Sequence, residues 1–429
     1  MFTLKNESKK IKIILASCCA LLFLMTLVSI FYYGNSTLLG NIYSPDNDDV
    51  KFIRSAKILL EQGIYTYHHP PTSTVFMMPG LPFALAFLMK IFGFYGGITA
   101  LRIVQAVLQT VSLLIIFYIG RKMFNSKIAI LAVIFDTFYI AEIYTANLVL
   151  TETFFKFFVL CLVLFSIYAL EENKMKFYLI SGLFWGLSTL FRPAIATYPI
   201  LILIMWIIKK ARFIDCVKYG LAVTLVFCAV LSPWWIRNYK VFHQIIPLTM
   251  ASGNPMLQGT YINYDQSTQK TDGLNYKQFH YGEGTQTELQ SNATEVAISK
   301  YRLKNLFPKE PLKFIYWYTI GKSWAQINFP FYWKPLFGIS YEMAGLYHFL
   351  MLILAVIGSL FYFKNKSNNK LPILLIAIVI YFDIDYLPFF TMGRYFYPAA
   401  PYFIIMAAYA VFSIKERISA GKSENQIIN

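Results

Sequence analysis

Charged residues are scarce in this chain of 429 residues, and acidic residues are the scarcest of them. Asp, Glu, Lys and Arg make up 14% of the sequence against 57% hydrophobic residues, and 22 acids stand against 38 Lys and Arg. The mean hydropathy of +0.52 is far above that of soluble proteins. This composition excludes a soluble globular protein and predicts an all-α integral membrane protein.

Cysteine is also rare, and its positions exclude a cysteine-rich metal site. The five cysteines lie in or beside apolar segments, at Cys18, Cys19, Cys161, Cys216 and Cys228. Their spacing is not that of metal ligands, so we interpret them as small apolar packing residues rather than as disulfides or metal ligands.

The net charge of +16 indicates membrane topology rather than nucleic-acid binding, because the basic residues cluster between apolar segments. About ten membrane spans are predicted, with a range of about 8 to 12. They are 11–33, 98–120, 128–146, 148–170, 177–191, 194–208, 217–236, 340–363, 371–388 and 395–414. With both termini in the cytoplasm, every short basic cluster lies on the cytoplasmic side, as the positive-inside rule requires.

The same rule places two doubtful segments, 78–93 and 313–333, as interfacial elements on the outer face, because another crossing would invert the basic loops that follow. The expected organisation has three parts. They are a transmembrane module (1–236) that includes a first outer loop (34–97), an extracytoplasmic region (237–339), and C-terminal helices with a cytoplasmic tail (340–429). We expect a multi-pass protein of the cell membrane with its active site outside.

The first outer loop carries a cluster of three acids, Asp46, Asp48 and Asp49. The apolar spacing that follows predicts a short amphipathic helix on the membrane that ends near Gly63. One carboxylate would suffice to cap that helix. Since three are present, we expect at least one of them to take part in proton transfer.

Other charged residues lie at the outer ends of predicted spans. Glu152 begins one span, where the helix dipole alone would also favour a carboxylate. Three arginines, Arg192, Arg237 and Arg394, lie at the outer ends of other spans. A single arginine there can simply reach lipid phosphate, but three of them favour an anionic ligand such as a phosphate. Asp136, in the middle of a span, has no assigned role.

Six motifs occur in a familiar order along the chain: DDVKFIRSAKILLEQGIY, MPGLPFALAFLMKIFG, LTETFF, FRPA, PWWIRNYKVF and GRYFYPAAPYF. This series resembles the bacterial membrane glycosyltransferases of the GT-C type, the group that contains protein O-mannosyltransferases and lipid A aminoarabinose transferases. The resemblance extends over nearly the full length, although the region 260–335 resembles the family only in its general composition and not in particular motifs. Relatives often carry an arginine just before the MPG-like motif, where this chain has Phe76 and Met77.

The resemblance implies roles for individual residues. Asp48 would be the general base on the acceptor hydroxyl, Glu152 would orient the acceptor or the base, and Arg394 would hold the donor phosphate. The catalytic candidates are therefore Asp48, Asp49 and Glu152, and the donor-phosphate candidates are Arg394, Arg237, Arg192 and Tyr395. No cofactor is expected. A divalent metal is not favoured, and Asp46 and Asp49 are its weak candidate ligands.

A transferase on the outer face cannot reach cytosolic nucleotide-sugars, so the expected donor is a polyprenyl phosphate-linked sugar. A single displacement at the anomeric carbon implies inversion. The acceptor hydroxyl, on a glycan, a lipid or a protein, is left open. The alternatives are a surface-glycan polymerase or ligase, and a transporter or flippase of lipid-linked sugars. Transporters usually carry their charges near the membrane midplane in paired halves, whereas here the charges gather at outer span ends.

Overall fold

The computed structural model describes residues 3–44, 46–68, 70–280, 286–365 and 367–427. Over these residues the chain is helical and forms no β-strand. The α-helices are α1 (Lys9–Tyr33), α2 (Asp48–Gln62), α3 (Gly80–Met123), α4 (Ser126–Thr137), α5 (Ala141–Asn147), α6 (Glu152–Glu172), α7 (Met175–Phe191), α8 (Pro199–Ile208), α9 (Phe213–Phe242), α10 (Gly253–Gly259), α11 (Glu288–Leu306), α12 (Pro311–Tyr316), α13 (Lys322–Ile327), α14 (Tyr341–Lys364), α15 (Pro372–Ile384), α16 (Gly393–Phe396) and α17 (Ala400–Ile427).

Six stretches of the described chain are long and apolar enough to cross a membrane. They are Lys9–Thr37, Gly80–Met123, Glu152–Glu172, Phe213–Phe242, Tyr341–Lys364 and Gly393–Ser419. The pair α4 and α5, bent by 54°, passes the same test as one broken span. Three shorter apolar helices, Met175–Phe191, Pro193–Ile208 and Pro372–Ile384, coincide with the remaining predicted spans. The all-α multi-pass fold is confirmed, and the count of ten crossings stays a prediction.

The centre of the bundle is formed by α6 and α17. Helix α6 and residues 400–410 of α17 are buried nearly all round, as at Leu160 and Phe403, whereas α9 and α14 expose large apolar side chains such as Leu225 and Leu346. A helix that is apolar on every side needs either protein or lipid around it. The inner helices are therefore enclosed by protein, and the outer helices present their apolar faces to lipid.

The predicted amphipathic helix after the acid cluster is confirmed as α2. Its buried face carries Val50, Ile53 and Ala56, while Leu60 is 42% exposed. The helix ends at Gly63, whose φ of 70° is the left-handed conformation that glycine adopts without strain. The backbone N–H of Gly63 donates to the carbonyl of Leu59, so the helix is properly terminated.

A sharp bend in α3 separates its first part from the predicted span at 98–120. Gly93 has φ 74° and ψ 176° inside the helix, and beyond it Gly97 packs against the backbone of Met89. Helix α3 packs on α2, and the ammonium group of Lys57 lies 5.6 Å from the ring centre of Phe94 next to the bend. The interfacial position expected for 78–93 stays a prediction, but the bend separates this element from the span that follows it.

The loops that were predicted to be cytoplasmic gather at one end of the bundle. Glu7 pairs with Arg121 over 2.9 Å, and Lys122 pairs with Glu171 over 2.5 Å. The opposite end, called the loop end below, contains α2 and the described residues between 243 and 339. There the backbone N–H of Phe337 donates to the Tyr33 hydroxyl at the end of α1 over 2.6 Å. Which side of the membrane each end faces stays a prediction.

Helices α14 and α17 approach each other so closely at Gly358 that no side chain fits. A Cβ atom there would lie 2.1 Å from the Met406 carbonyl oxygen. We expect Gly358→Ala to push the two backbones apart and to cost about 1–3 kcal/mol of stability. Thermal unfolding in detergent micelles measures this. The matched control is Gly220→Ala, whose Cβ would meet only Trp206 at 3.9 Å. Equal unfolding temperatures of both variants would contradict this packing.

Candidate functional site

Arg394 lies at the centre of a charged cluster at the loop end. Its side chain is 7% exposed, and its Nη1 donates to Asp48 Oδ2 over 2.8 Å while its Nε donates to Glu152 Oε1 over 2.7 Å. A guanidinium withdrawn from water requires such charged partners. One arginine thereby joins the start of α2, the start of α6 and the short helix α16.

Asp48 is the accessible carboxylate of the cluster. Its side chain is 38% exposed, and its Oδ1 accepts a hydrogen bond from the Tyr67 hydroxyl over 2.8 Å. Burial raises the pKa of the Asp48 carboxyl, but Arg394 and Tyr67 lower that pKa by more, so it lies below its ordinary value. Asp48 is therefore ionised at neutral pH and reachable from solvent, as an acceptor of a proton must be.

Glu152 is buried between two arginines. Its side chain is 1% exposed, and its Oε1 accepts from Arg192 Nη1 over 3.0 Å as well as from Arg394. Its Oε2 is buried and makes no hydrogen bond within the described part of the chain. Because both arginines converge on one oxygen, Glu152 holds them in place, and its burial leaves it unsuited to receive a proton from a substrate.

Tyr395 lines the same cluster with its ring. The Arg192 guanidinium lies 4.8 Å from the centre of that ring and the Arg394 guanidinium 5.8 Å. The Tyr395 ring also stacks on the Tyr386 ring, with centroids 4.5 Å apart and an interplanar angle of 9°. The two arginines are therefore held between carboxylates and aromatic rings, a setting that restricts their rotamers.

Two predicted site residues lie outside the cluster. Asp49 is fully buried, and its oxygens accept the backbone N–H groups of Leu39 (2.5 Å) and Val50 (2.9 Å). Burial raises the pKa of Asp49, and its hydrogen bonds fix the loop before α2. Arg237 donates to the Thr74 carbonyl over 2.7 Å among aromatic rings. The structure gives both residues contacts that stabilise the fold.

Capping alone does not account for the acid cluster. The residue before α2, Asn47, makes no side-chain hydrogen bond to the first turn. Asp48 opens the helix, but both of its oxygens bond to distant side chains, those of Tyr67 and Arg394. Its position at the start of α2 agrees with the helix dipole, and its contacts serve the charged cluster.

The weak metal candidates do not converge. Within the described residues, no group of three or more His, Cys, Asp or Glu side chains could hold a metal ion. Within the described residues the Asp46 carboxylate accepts one hydrogen bond, from the side-chain amide of its neighbour Asn47 at 3.5 Å. The Asp49 carboxylate accepts backbone N–H groups. The expectation that the protein requires no divalent metal stays untested.

Sequence reasoning missed Tyr67 and a buried ion pair beside the site. Lys156 and Glu142 form a salt bridge in which both side chains are fully buried, and Lys156 lies 5.4 Å from the ring centre of Tyr397. Asp136 is fully buried nearby, and its oxygens make no hydrogen bond to another described residue. A lysine inside an apolar run was a visible signal for this pair, whereas Tyr67 lies in a loop with no periodicity.

Residues 68–236 match the model of a family described as dolichyl-phosphate-mannose-protein mannosyltransferase. No match to a curated protein sequence reaches significance. The matched region begins before α3 and ends within α9. It contains Glu152 and Arg192 but ends before Arg394.

Solved structures share the fold over the whole chain. The oligosaccharyltransferase of Archaeoglobus fulgidus in the apo form has a TM-score of 0.57 at 11% identity, and the match covers 100% of this chain and 53% of that one. The same organism's oligosaccharyltransferase AglB, in complex with an inhibitory peptide and a dolichol-phosphate, has a TM-score of 0.52 at 14% identity, with 96% and 52% covered.

A third structure, ArnT from Cupriavidus metallidurans bound to undecaprenyl phosphate, has a TM-score of 0.44 at 11% identity, and the match covers 94% of this chain and 77% of that one. The chain spans about half the length of the oligosaccharyltransferases. At these identities the likeness to solved structures shows the fold alone. Together with the family match, it confirms the resemblance to membrane glycosyltransferases of the GT-C type that the sequence predicted.

Proposed function

We propose that the protein moves a sugar from a polyprenyl phosphate-linked donor to an acceptor hydroxyl on the outer face of the membrane. The observation that carries this proposal is the contact of Arg394 with the accessible carboxylate of Asp48 at the loop end. The family description, which names dolichyl-phosphate-mannose as donor, and the dolichol-phosphate in the similar oligosaccharyltransferase support a lipid-phosphate donor.

In the proposed reaction Asp48 takes the proton of the acceptor hydroxyl. The acceptor oxygen forms a bond to the anomeric carbon of the donor while the bond from that carbon to the phosphate oxygen breaks. The electron pair leaves with the polyprenyl phosphate, whose charge Arg394 and Arg192 stabilise. A single displacement of this kind inverts the anomeric carbon.

Arg394 can bind the phosphate without first losing both of its partners. Its Nε and Nη1 hold Glu152 and Asp48, whereas its Nη2 makes no hydrogen bond within the described residues. Arginine presents its donors as a planar fork that matches a phosphate. A phosphate on Nη2 would compete with Asp48 for the guanidinium, and this competition would raise the pKa of Asp48 and make it a stronger base. Donor binding thereby activates the acceptor site.

The transporter alternative has one observation in its favour. Lys156, Glu142 and Asp136 are charged groups buried inside the bundle, where transporters carry such residues. Both side chains of the Lys156–Glu142 pair are fully buried, and their contacts lie within the protein. The accessible carboxylate lies instead at the loop end, which favours chemistry at the surface. A glycan polymerase or ligase would use the same residues with another donor, and the choice of donor in an assay distinguishes it.

Asp48→Asn is expected to reduce sugar transfer by about 10²- to 10⁴-fold, because the amide cannot accept the proton. Transfer of labelled sugar from synthetic polyprenyl phosphate-sugars to endogenous acceptors measures this in detergent-permeabilised membranes at matched expression. Permeabilisation removes any need for transport. The matched control is Glu61→Gln, an exposed carboxylate near the end of the same helix. Equal transfer by wild type and Asp48→Asn would contradict the proposal and favour a transporter.

Tyr67→Phe is expected to move the acid limb of the pH profile of kcat/KM to higher pH. The Tyr67 hydroxyl stabilises ionised Asp48 and lowers its pKa, so its removal raises that pKa, and the base becomes protonated at a less acidic pH. A shift of about half a pH unit to one unit corresponds to one hydrogen bond. Tyr341→Phe, which alters a tyrosine bonded to the Trp333 carbonyl, is the control. An unchanged or lowered acid limb would show that Asp48 is not the titrating base.

A further inference from the structure

A second cavity at the loop end shares an aromatic wall with the charged cluster. It measures about 290 Å³ and lies between the loop after α2 and the helix α11. Phe76 lines the cavity and stacks on Tyr67, with ring centroids 5.6 Å apart at 14°, and the Tyr67 hydroxyl donates to Asp48. A ligand in this cavity is therefore separated from the proposed base by two stacked aromatic rings, those of Phe76 and Tyr67.

The two walls of the cavity are tied together by a carboxylate. Glu288, in the first turn of α11, accepts hydrogen bonds from the Thr74 hydroxyl over 2.7 Å and from the backbone N–H of Val75 over 3.3 Å. These contacts fix α11 against the segment that carries Phe76. The cavity is therefore built into the fold by partners more than two hundred residues apart in sequence.

The polar groups of the cavity are oriented before any ligand binds. Asn292 is 7% exposed, and its Oδ1 accepts the backbone N–H of Gly253 over 2.7 Å. Glu295 is 9% exposed, and its Oε1 accepts from Asn254 Nδ2 over 3.0 Å. The Asn292 amide nitrogen and the Ser291 hydroxyl, which also lines the cavity, make no hydrogen bond to another described residue. These two groups are donors that a ligand can use.

This combination of groups suits a ring that carries several hydroxyls. Carboxylate oxygens accept from hydroxyls, amide and hydroxyl groups donate to them, and an aromatic side chain packs against the apolar face of the ring. Among the described residues of the lining there is no Lys or Arg, and the carboxylates of Glu288 and Glu295 oppose an anion. The volume, at the low end of small-ligand sites (about 300 Å³), fits a single ring rather than an extended chain.

We propose that this cavity binds a neutral sugar ring, which is supplied either by the donor or by a glycan acceptor. The inference rests on the proposed function in that it treats the cavity as a subsite of the same reaction. Glu295, Asn292 and Ser291 bind hydroxyls of the ring, and Phe76 covers one of its faces.

The test is direct binding, without turnover. Saturation-transfer NMR on the purified full-length protein in detergent uses neutral methyl glycosides of common hexoses, pentoses and N-acetylhexosamines as probes. At least one glycoside is expected to bind. Glu295→Gln, which keeps the shape and the contact with Asn254, and Phe76→Leu are each expected to weaken that binding by about tenfold. If either variant fails to fold, Ser291→Ala takes its place.

One control makes the result specific. Glu310→Gln, an exposed carboxylate that pairs with Lys313, leaves glycoside binding unchanged. Glycoside binding is measured without turnover, so binding and transfer can fail independently of each other. If no glycoside binds, or if all variants bind as the wild type does, the cavity is not a sugar site and the inference is overturned.

The source of the ring follows from transfer kinetics. If the ring belongs to the donor, Glu295→Gln raises the KM for the polyprenyl phosphate-sugar. If it belongs to the acceptor, the same variant raises the KM for the acceptor and leaves the donor KM unchanged. Unchanged KM values for both substrates, in a variant that has lost glycoside binding, would overturn the assignment of the cavity to this reaction.

Discussion

The burial of the Arg394 guanidinium is the constraint on which the loop end depends. A charged group withdrawn from water is tolerated only with partners, and removal of one partner leaves an uncompensated charge whose cost is about 3–5 kcal/mol. Arg394 has two carboxylate partners, Asp48 and Glu152, on helices that begin about a hundred residues apart. The same contacts that hold α2, α6 and α16 together also place the chemically useful groups side by side.

The two carboxylates that contact Arg394 differ in their exposure to solvent. Glu152 is buried and shared by two arginines, so it holds them in position, whereas Asp48 is open to solvent on one side. Arg394 and Tyr67 lower the pKa of Asp48, so this carboxylate is ionised at neutral pH but is a weaker base than an ordinary aspartate. A phosphate that draws Arg394 away would restore the basicity of Asp48 at the moment when the donor is present. In the proposed reaction, stability without the donor and proton transfer with the donor bound would then depend on the same guanidinium.

Much of this could be predicted from the sequence. Hydropathy located the apolar helices, apolar spacing located α2, and the charge of the loops placed Asp48, Glu152 and Arg394 at one end of the bundle. Asp48 and Asp49 could not both face the charged cluster, because successive helical residues point about 100° apart. Which of the two faces the cluster depends on how α2 packs, and the sequence does not show this. Arg237 donates a hydrogen bond to the Thr74 carbonyl, a partner far away in sequence that only the folded chain brings close. Tyr67 lies in an aperiodic loop, so no pattern marked it.

Competition between Asp48 and the donor phosphate for Arg394 is the central claim, and the affinity for polyprenyl phosphate tests it most directly. The measurement compares the dissociation constant of polyprenyl phosphate for the purified wild type with that for Asp48→Asn at neutral pH. Removal of the competing carboxylate frees Arg394 and removes a like charge, so the account predicts binding that is tighter by about tenfold. Equal or weaker binding by Asp48→Asn would show that the phosphate does not share Arg394 with Asp48 and would contradict the account.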